Sequence, residues 1–416
     1  MERYVVKGGL KLSGSVRVES AKNAVLPMMA AACLTDEEVV IKNCPKIGDV
    51  LSMIEILRSI GVKTKFEDNN LVINASSINS YKIPCELGGK LRSSVYMLGA
   101  LCSRLKIVET YRPGGCDIGA RPIDIHLKGL NEFGVSTSYD ENIVRCNADR
   151  LIGRRINLDF PSVGATENLM IIGALADGKT ELYNVAKEPE VIDLMRFLNS
   201  MGAKIYGAGT NTILIEGVKK LHATVFEPIS DRIETGTFLL AAAITGGEVE
   251  IKGCNPKNIY SLIHKLCDNT CKINLKNDII YLKSNACKKA FSFKTGPYPY
   301  FPTDLQAQTM ALLTVSDGVS NVTEAIFEKR FGHVSELIKM GADIVVKGRT
   351  ASVRGVKTLH GGEVYAKDLR GGAALTLAAL CAEGQTVIHG AQHVNRGYYN
   401  IDKKLRALGA DVNLTN

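Results

Sequence analysis

The chain has 416 residues, of which 45% are hydrophobic and 23% charged, and its formal net charge is +8. This composition is typical of a globular protein with two or three domains. The chain lacks Trp, its aromatic content is 6%, and it has no long Lys/Arg run, so we expect no nucleic-acid partner.

The first residues do not contain the apolar core of a signal peptide. The longest apolar run, residues 24–34, is interrupted by Pro27 and is too short to cross a bilayer. The 11 Cys residues include no CxxC pair, and Cys267 and Cys271 have no His or second pair at zinc spacing. We therefore expect a cytoplasmic protein without membrane insertion or a structural metal.

One pattern recurs six times along the chain: a helix that ends in a turn residue and is followed by a strand-forming stretch. The first copy reads LRSIGVKTKF and the last LRALGADVNL, and successive copies are about 70 residues apart. Gly and Asn are the residues that best tolerate the left-handed conformation of a helix C-cap. The predicted left-handed turn residues are Gly61, Gly134, Gly202, Asn269, Gly341 and Gly409.

A second pattern, in phase with the first, is an Ala-rich helix followed by a turn and a strand, as in AAAITGGEVEI (241–251). Each copy therefore predicts helix, strand, helix and two further strands. The last copy stops after one of these strands, and the strand predicted at residues 1–8 can complete it. We predict two domains of three copies each, residues 22–229 and residues 1–21 plus 230–416. A hinge is expected near residues 21 and 229, with a ligand site between the domains.

The loops that precede the Ala-rich helices carry polar and basic residues. Helix N-termini present unpaired N–H groups and the positive end of the helix dipole, so they bind anions. Capping by Ser, Thr and Asp is the alternative explanation, but it does not account for the basic residues. The net charge likewise fits either an anionic ligand or a solvated basic surface. These loops contain Lys22-Asn23, Arg92, Ser162-Val163-Gly164, Asp231-Arg232, Asp304 and Asp368–Arg370.

The loop at residues 111–126, YRPGGCDIGARPIDIH, is the most unusual segment. Gly114 and Gly115 allow a sharp turn just before Cys116, and Arg112 and Arg121 flank it. Positive neighbours lower the pKa of a thiol, so this context predicts a reactive Cys116, whereas a loop Cys without a role is the alternative. Two weaker polar clusters, IFEKRFGH (326–333) and HVNRGYYN (393–400), lie further along the chain.

Ten segments occur in one order along nearly the whole chain, among them AKNAVLP (21–27), PGGCDIGARP (113–122), SVGATEN (162–168), DRIETGTF (231–238), FPTDLQAQ (301–308), EAIFEKRF (324–331) and RGY (396–398). Together they resemble the UDP-N-acetylglucosamine 1-carboxyvinyltransferases, a family of enolpyruvyl transferases in the EPSP synthase superfamily. The resemblance implies an α/β fold, a two-domain inside-out α/β barrel with six repeats of a roughly 70-residue βαβαββ-type unit, three per domain.

The resemblance also implies an activity. The enolpyruvyl group of phosphoenolpyruvate is transferred to the 3-hydroxyl of UDP-N-acetylglucosamine through a tetrahedral intermediate, and phosphate is released. This reaction is the first committed step of peptidoglycan precursor synthesis. Cys116 is implied as the general acid and as the target of fosfomycin-like epoxides, and Asp304 as the group that removes the proton from the sugar hydroxyl. No cofactor is implied.

The remaining residues implied by the resemblance contact three parts of the substrates. The phosphate of phosphoenolpyruvate is contacted by Lys22, Arg121 and Arg396, and its carboxylate by Arg330 and Arg370. Asn23 contacts the sugar and the intermediate, and Asp368 directs proton movement. The residues implied at the sugar nucleotide are Arg92, Arg121, Ser162, Val163, Gly164, Asp304 and Ile326.

Three positions depart from the family pattern. Phe160 stands where some members have Lys near the diphosphate, Tyr300 replaces Gly before Asp304, and Asn395 replaces the Asp common before RGY. These departures suggest a different grip on the nucleotide or a secondary paralogue. Two other functions are considered: an enolpyruvyl transferase acting on shikimate 3-phosphate, which lacks the PGGC loop, and a non-catalytic sensor of the nucleotide sugar, which would have lost catalytic residues.

Overall fold

The computed structural model describes residues 2–114, 119, 123–284 and 288–415. Cys116 and Arg121, two of the predicted site residues, lie outside the described residues. The described part of the chain forms 23 β-strands and 14 α-helices. Its longest helix has 14 residues, and no described helix is long and apolar enough to cross a membrane.

The strands are β1 (Arg3–Lys7), β2 (Ser13–Arg17), β3 (Glu38–Ile41), β4 (Lys63–Glu67), β5 (Asn70–Asn74), β6 (Ile107–Tyr111), β7 (Ser136–Asp140), β8 (Ile143–Asn147), β9 (Arg155–Asn157), β10 (Lys179–Tyr183), β11 (Lys204–Tyr206), β12 (Thr212–Glu216), β13 (Thr224–Phe226), β14 (Glu248–Lys252), β15 (Lys272–Lys276), β16 (Ile279–Lys283), β17 (Phe293–Lys294), β18 (Val319–Thr323), β19 (Asp343–Lys347), β20 (Thr350–Arg354), β21 (Glu363–Tyr365), β22 (Gln385–His389) and β23 (Asp411–Thr415).

The helices are α1 (Lys22–Ala31), α2 (Gly48–Ser59), α3 (Cys85–Gly88), α4 (Tyr96–Leu105), α5 (Asp124–Glu132), α6 (Val163–Gly173), α7 (Pro189–Ser200), α8 (Arg232–Thr245), α9 (Tyr260–Asp268), α10 (Gln306–Leu313), α11 (Val334–Lys339), α12 (Leu369–Cys381), α13 (Ala391–Asn395) and α14 (Ile401–Ala407).

The contacts within the chain divide it into two units. We call residues 20–114 and 123–229 the Lys22 unit, and residues 2–19, 119, 230–284 and 288–415 the Asp304 unit. The chain passes from one unit to the other between Glu19 and Ser20 and again between Ile229 and Ser230.

Three mutually packed helices form the centre of each unit: α1, α4 and α6 in the Lys22 unit, and α8, α10 and α12 in the Asp304 unit. A surface helix is apolar on one stripe, whereas these helices are buried on nearly every side. Small residues such as Ala241–Ala243 and Ala373-Ala374 are fully buried at the centre of the Asp304 unit. Their size lets the helix backbones approach closely, which explains why the Ala-rich runs lie inside.

Each central helix of the Asp304 unit packs against one four-stranded sheet. The strand orders are β15-β16-β14-β2 for α8, β17-β18-β20-β19 for α10 and β21-β22-β1-β23 for α12. In each sheet one edge pair is parallel, namely β2–β14, β17–β18 and β21–β22, and the other pairs are antiparallel. The helices are thus inside and the sheets outside.

The Lys22 unit has the same arrangement, with sheets β13-β3-β5-β4, β6-β8-β7 and β11-β12-β10-β9. An isolated parallel bridge between Lys82 and Glu109 stands where the second sheet would have a fourth strand. The third repeat, β9-α6-β10-α7-β11-β12, follows the predicted βαβαββ order in full. The predicted fold class, with three repeats around central helices, is confirmed in each unit.

The N-terminal strand completes the last repeat, as predicted. Strand β1 lies between β22 and β23 and is antiparallel to both, so that Arg3 pairs with His389 on one side and with Thr415 on the other. Its burial alternates, with Tyr4 and Val6 buried against the core. The first and last strands of the chain therefore belong to one sheet.

Two short strands are exchanged between repeats. In the regular repeats the strand before a central helix pairs in parallel with the strand after it, as β9 does with β10. Strand β2 precedes α1 but pairs with β14, and β13 precedes α8 but pairs with β3. As a result, β13 completes the first sheet of the Lys22 unit, and β2 completes the first sheet of the Asp304 unit.

The prediction for the fourth turn residue was wrong by one position. Five glycines have the predicted left-handed backbone, with φ between 89° and 97° at Gly61, Gly134, Gly202, Gly341 and Gly409. Asn269, however, has φ −76°, and the left-handed residue is Thr270, with φ 77°. Asn269 is buried, and its side-chain amide donates to Ser316 Oγ at 3.1 Å. The amide is thus used inside the core and the turn moves to the next residue.

Candidate active site

Lys22 begins the central helix α1 and forms an ion pair with Asp49, which lies in the first turn of α2. The Lys22 Nζ is 3.0 Å from Asp49 Oδ2, and the two side chains are only 13% and 8% exposed. A buried ammonium needs a carboxylate partner, because it has lost most of its water. The next residue, Asn23, is half-buried. Asp49 had no role in the sequence analysis, and no motif distinguishes it.

Arg92 and Gly164 lie beside one buried imidazole, that of His126. Arg92 opens the short turn that leads into α4, and Gly164 is in the first turn of α6. Burial, and then the charge of Arg92, lower the pKa of His126 to about 3, so this ring is neutral at pH 7. A Cβ added at Gly164 would lie 3.2 Å from the ring, which is tighter than an ordinary contact.

The loop before α6 is organised by Ser162. It is the N-cap of this helix, and its Oγ accepts a hydrogen bond from the Ala165 N–H at 3.3 Å. Ser162 and Val163 are half-buried. The structure therefore brings Arg92 and the Ser162–Gly164 loop close to the same side chain, His126. The sequence analysis did not select His126, because a single His carries no motif.

Asp304 is held between two buried arginines in the Asp304 unit. Its Oδ1 is 2.8 Å from Arg330 Nη2, and its Oδ2 is 2.9 Å from Arg370 Nη2. Both arginine side chains are only 4% exposed, whereas the Asp304 side chain is 27% exposed. The site thus holds two buried guanidinium groups, whose planar forks match the geometry of an anionic ligand such as a carboxylate.

Hydrogen bonds at the start of α12 fix the position of Arg370. Asp368 is the N-cap of α12, and its Oδ1 accepts from the backbone N–H groups of Arg370 and Gly371, both at 3.0 Å. Burial opposes the charged form of Arg370, but the negative charges of Asp304 and Asp231 outweigh it and raise the pKa of Arg370.

Glu324 ties the Asp304 loop to the segment that carries Ile326. This fully buried carboxylate accepts from Thr303 Oγ1 at 2.9 Å and from the backbone N–H groups of Ile326 and Phe327 at 2.8 and 3.1 Å. It also accepts from Thr295 Oγ1 at 2.9 Å. Ile326 itself is half-buried. Glu324 is the first residue of the EAIFEKRF segment. The sequence analysis assigned roles only to later residues of this segment.

His333 is a further buried residue to which the sequence analysis gave no role. It is 3% exposed, and burial lowers its pKa to about 4, with the charges of Asp368 and Arg330 acting in opposite directions. Within the described residues neither of its ring nitrogens meets hydrogen-bond geometry with another side chain. His333 is thus a neutral ring packed near the Arg330 end of the cluster.

The three departures from the family pattern have different surroundings. Asn395 accepts from the Tyr4 hydroxyl at 2.5 Å and donates to Glu2 Oε2 at 3.1 Å, a pair of contacts that needs an amide. Arg396 follows directly, at the end of α13, and is half-buried. Phe160 and Tyr300 are 43% and 72% exposed.

Comparison with known proteins identifies the family. Residues 6–405 match the model of the EPSP synthase (3-phosphoshikimate 1-carboxyvinyltransferase) family. A UDP-N-acetylglucosamine 1-carboxyvinyltransferase 2 from Caldanaerobacter subterraneus subsp. tengcongensis is 49% identical, with 99% of both chains covered. Another from Clostridium tetani is 48% identical, and a UDP-N-acetylglucosamine 1-carboxyvinyltransferase from Magnetococcus marinus is 46% identical, each also with 99% of both chains covered.

Solved structures of enolpyruvyl transferases have the same fold as this chain. The enolpyruvyl transferase NikO from Streptomyces tendae superimposes with a TM-score of 0.89 at 28% identity, covering 100% of this chain and 99% of that one. EPSP synthase from Acinetobacter baumannii has a TM-score of 0.77 at 17% identity, covering 100% of both chains, which shows a shared fold.

The fold, the cationic cluster and the full-length matches define a transferase, and the chain belongs to the EPSP synthase family of enolpyruvyl transferases. Within that family it groups with the UDP-N-acetylglucosamine 1-carboxyvinyltransferases, with which it shares nearly half of its residues. The resemblance inferred from the sequence motifs is confirmed.

Proposed function

We propose that this enzyme transfers the enolpyruvyl group of phosphoenolpyruvate to the 3-hydroxyl of UDP-N-acetylglucosamine and releases phosphate. The reaction begins peptidoglycan precursor synthesis, and we place it in the cytoplasm. The observation that carries the proposal is the Asp304 carboxylate held by Arg330 and Arg370 at 2.8 and 2.9 Å. Such a pair of buried guanidinium groups is suited to a small molecule that carries two anionic groups.

Phosphoenolpyruvate carries a phosphate and a carboxylate on three carbons, so its binding needs several cations in a small volume. Arg330 and Arg370 are assigned to the carboxylate, because a guanidinium fork matches carboxylate geometry. Lys22, Arg121 and Arg396 are assigned to the phosphate. Arg330 and Arg370 also stabilise the charge that develops in the transition state, since their contacts with Asp304 orient them before the reaction.

The chemistry is an addition followed by an elimination. Cys116 gives a proton to the methylene carbon of phosphoenolpyruvate, while the sugar 3-oxygen bonds to C2 and its proton passes to Asp304. The resulting tetrahedral intermediate then loses a proton from the methyl carbon, and the C2–O bond to phosphate breaks. The Asp304 side chain is 27% exposed, more than those of Arg330 and Arg370, so it is accessible to the sugar hydroxyl. Asp368 assists these proton movements, and Asn23 orients the sugar and the intermediate.

The sugar nucleotide is assigned to Arg92, Arg121, Ser162, Val163, Gly164, Asp304 and Ile326. The absence of a side chain at Gly164 lets the start of α6 lie close to His126, and Arg92 supplies positive charge there for a diphosphate. An acceptor of the shikimate type has less support, since the EPSP synthase structure is only 17% identical whereas the relatives named for UDP-N-acetylglucosamine reach 49%.

The proposal is tested by measuring phosphate release from phosphoenolpyruvate with and without UDP-N-acetylglucosamine. Release that depends on the sugar nucleotide is expected, and its absence under all conditions would contradict the assigned reaction. Replacing UDP-N-acetylglucosamine by shikimate 3-phosphate is the specificity control, and no release is expected with it.

We further propose that Cys116 is alkylated by fosfomycin: the thiolate opens the epoxide, a C–S bond forms and the ring C–O bond breaks. Mass spectrometry of the treated enzyme should show one adduct on the peptide that contains Cys116. The Cys116→Ser variant should show none, whereas Cys267→Ser, which removes an exposed thiol elsewhere, should still be modified and inactivated. An adduct that persists in Cys116→Ser would refute this assignment.

A further inference from the structure

A chain of buried polar side chains lies beneath the Asp304–Arg370 ion pair. It consists of Gln308 on α10, Thr237 on α8, and Tyr398 between α13 and α14. Their exposed fractions are 0%, 1% and 2%, in that order. Gln308 Nε2 is 3.1 Å from the Tyr398 hydroxyl, and this hydroxyl is 2.8 Å from Thr237 Oγ1. None of these three residues has a role in the reaction assigned above.

The hydrogen-bond directions in this chain can be assigned from the donors available. Thr237 Oγ1 donates its only proton to the Ile233 carbonyl at 2.8 Å, so it must accept from the Tyr398 hydroxyl. The Tyr398 oxygen in turn accepts from the Gln308 amide. The order is therefore Gln308 to Tyr398 to Thr237 to the backbone of α8, and each hydroxyl both accepts and donates.

Both members of the Asp304–Arg370 ion pair contact these hydrogen-bonded side chains. The Gln308 amide also donates to the Asp304 backbone carbonyl at 2.9 Å, one helical turn earlier. The Cζ of Arg370 lies 5.4 Å from the centroid of the Tyr398 ring, where a guanidinium is attracted to the ring face. Gln308 thus holds the loop of Asp304, and Tyr398 supports the guanidinium of Arg370.

We propose that Tyr398 and Gln308 are positioning residues that set Asp304 and Arg370 in one relative arrangement for phosphoenolpyruvate. The proposal rests on the reaction assigned above. It also explains why a glutamine stands inside an apolar core. Gln308 Oε1 is buried and, among the residues that the structure describes, has no hydrogen-bond partner. A buried unpaired acceptor is destabilising, so an apolar residue would serve stability better.

The test compares Tyr398→Phe, which keeps the ring and removes the hydroxyl, with Gln308→Met, which keeps the length and removes the amide. Each is expected to lower kcat/KM for phosphoenolpyruvate by about tenfold, the size expected for one hydrogen bond, while KM for UDP-N-acetylglucosamine changes less than about twofold. The double variant should fall little further than either single variant, because both break the same chain.

Thr314→Val is the matched control. Thr314 is a fully buried residue at the other end of α10, and its hydroxyl donates to the Ala311 carbonyl at 2.7 Å. Its loss should lower stability and leave both kinetic constants unchanged. Equal changes for the two substrates in Tyr398→Phe, or no change at all, would show a merely structural role and overturn the proposal.

A second readout does not depend on turnover. In a crystal structure of Tyr398→Phe the Arg370 Nη2–Asp304 Oδ2 distance should lengthen from 2.9 Å or split into two conformers. An unaltered ion pair would overturn the positioning role whatever the activity. If the unmodified enzyme released no phosphate, the assigned reaction would fail, and this structural measurement would still decide the positioning role.

Discussion

Lys22 Nζ lies 3.0 Å from Asp49 Oδ2, and both side chains are nearly enclosed. Removing one member of a buried pair leaves the other charge without that partner, so Asp49→Asn should lower the free energy of unfolding by about 2 kcal/mol. It should also raise KM for phosphoenolpyruvate, because the position of the Lys22 ammonium is no longer set by the carboxylate. Urea unfolding and steady-state kinetics measure the two effects.

An exposed pair in the same unit provides the control. Lys128 and Asp159 are 2.7 Å apart, but their side chains are 64% and 61% exposed. Asp159→Asn should cost less than about 1 kcal/mol, since solvent screens this pair. Equal losses for Asp49→Asn and Asp159→Asn would contradict the importance given to burial.

Arg370→Lys tests the carboxylate assignment. Lysine keeps the charge but loses the planar fork, so kcat/KM for phosphoenolpyruvate should fall by about a hundredfold, whereas binding of UDP-N-acetylglucosamine should change little. Arg354→Lys, at an arginine that is 70% exposed in the same unit, is the control and should be neutral. A fall confined to the sugar nucleotide would instead place Arg370 at the other substrate.

Asp193 predicts a pH dependence of stability. Burial raises its pKa to about 7, although its carboxylate accepts from the Ile229 N–H at 2.8 Å. The folded state holds this proton more tightly than the unfolded state. The contribution of protonated Asp193 to the free energy of unfolding is therefore complete below about pH 4. It is lost as the pH rises through 7, by up to about 4 kcal/mol.

Asp193→Asn should remove this slope, since an amide does not titrate and can still accept from Ile229. The free energy of unfolding, measured with urea at several values between pH 5 and 8, should then be flatter for the variant than for the unmodified protein. Asp177→Asn, at a carboxylate that is 59% exposed, should leave the slope unchanged. A variant with an undiminished slope would show that other groups cause it.

Thr270→Gly should stabilise the protein. A β-branched residue at φ 77° is strained, and glycine relieves about 1 kcal/mol of this strain. The opposite change at an equivalent turn, Gly409→Ala, should cost a similar amount, because φ is 91° and an added Cβ meets nothing within 4 Å. Thermal unfolding of both variants checks the prediction, which fails if Thr270→Gly is destabilised.

Much of the fold could be predicted because the repeat is local. Each helix, its terminal turn and the following strand are written in neighbouring residues, so the Ala-rich runs and the glycines at 61, 134, 202, 341 and 409 were identified by spacing alone. The fourth turn was misplaced because Asn and Thr compete there, and the core contacts of the Asn269 amide decide between them.

The candidate site was predictable in part. The residues chosen from the loops before the central helices include Lys22, Asp304 and Arg370, and their chemistry follows from residue type and motif. Their partners did not follow. Asp49 is 27 residues from Lys22 and lies on another helix of the same repeat, whereas Arg370 is 66 residues from Asp304 and lies in the next repeat. Only the packing of these separate helices brings the charges together.

The sequence by itself determined the repeated unit, the family and the residue types available for chemistry, because these depend on local order and motif. The tertiary structure alone decided which sheet receives β2 and β13, since a parallel edge strand can join either repeat and closure of each unit makes the choice. It also decided that one carboxylate oxygen of Asp304 pairs with Arg330 and the other with Arg370, and that Tyr398 and Gln308 lie beneath them. Such contacts join residues distant in the chain, and no local pattern records them.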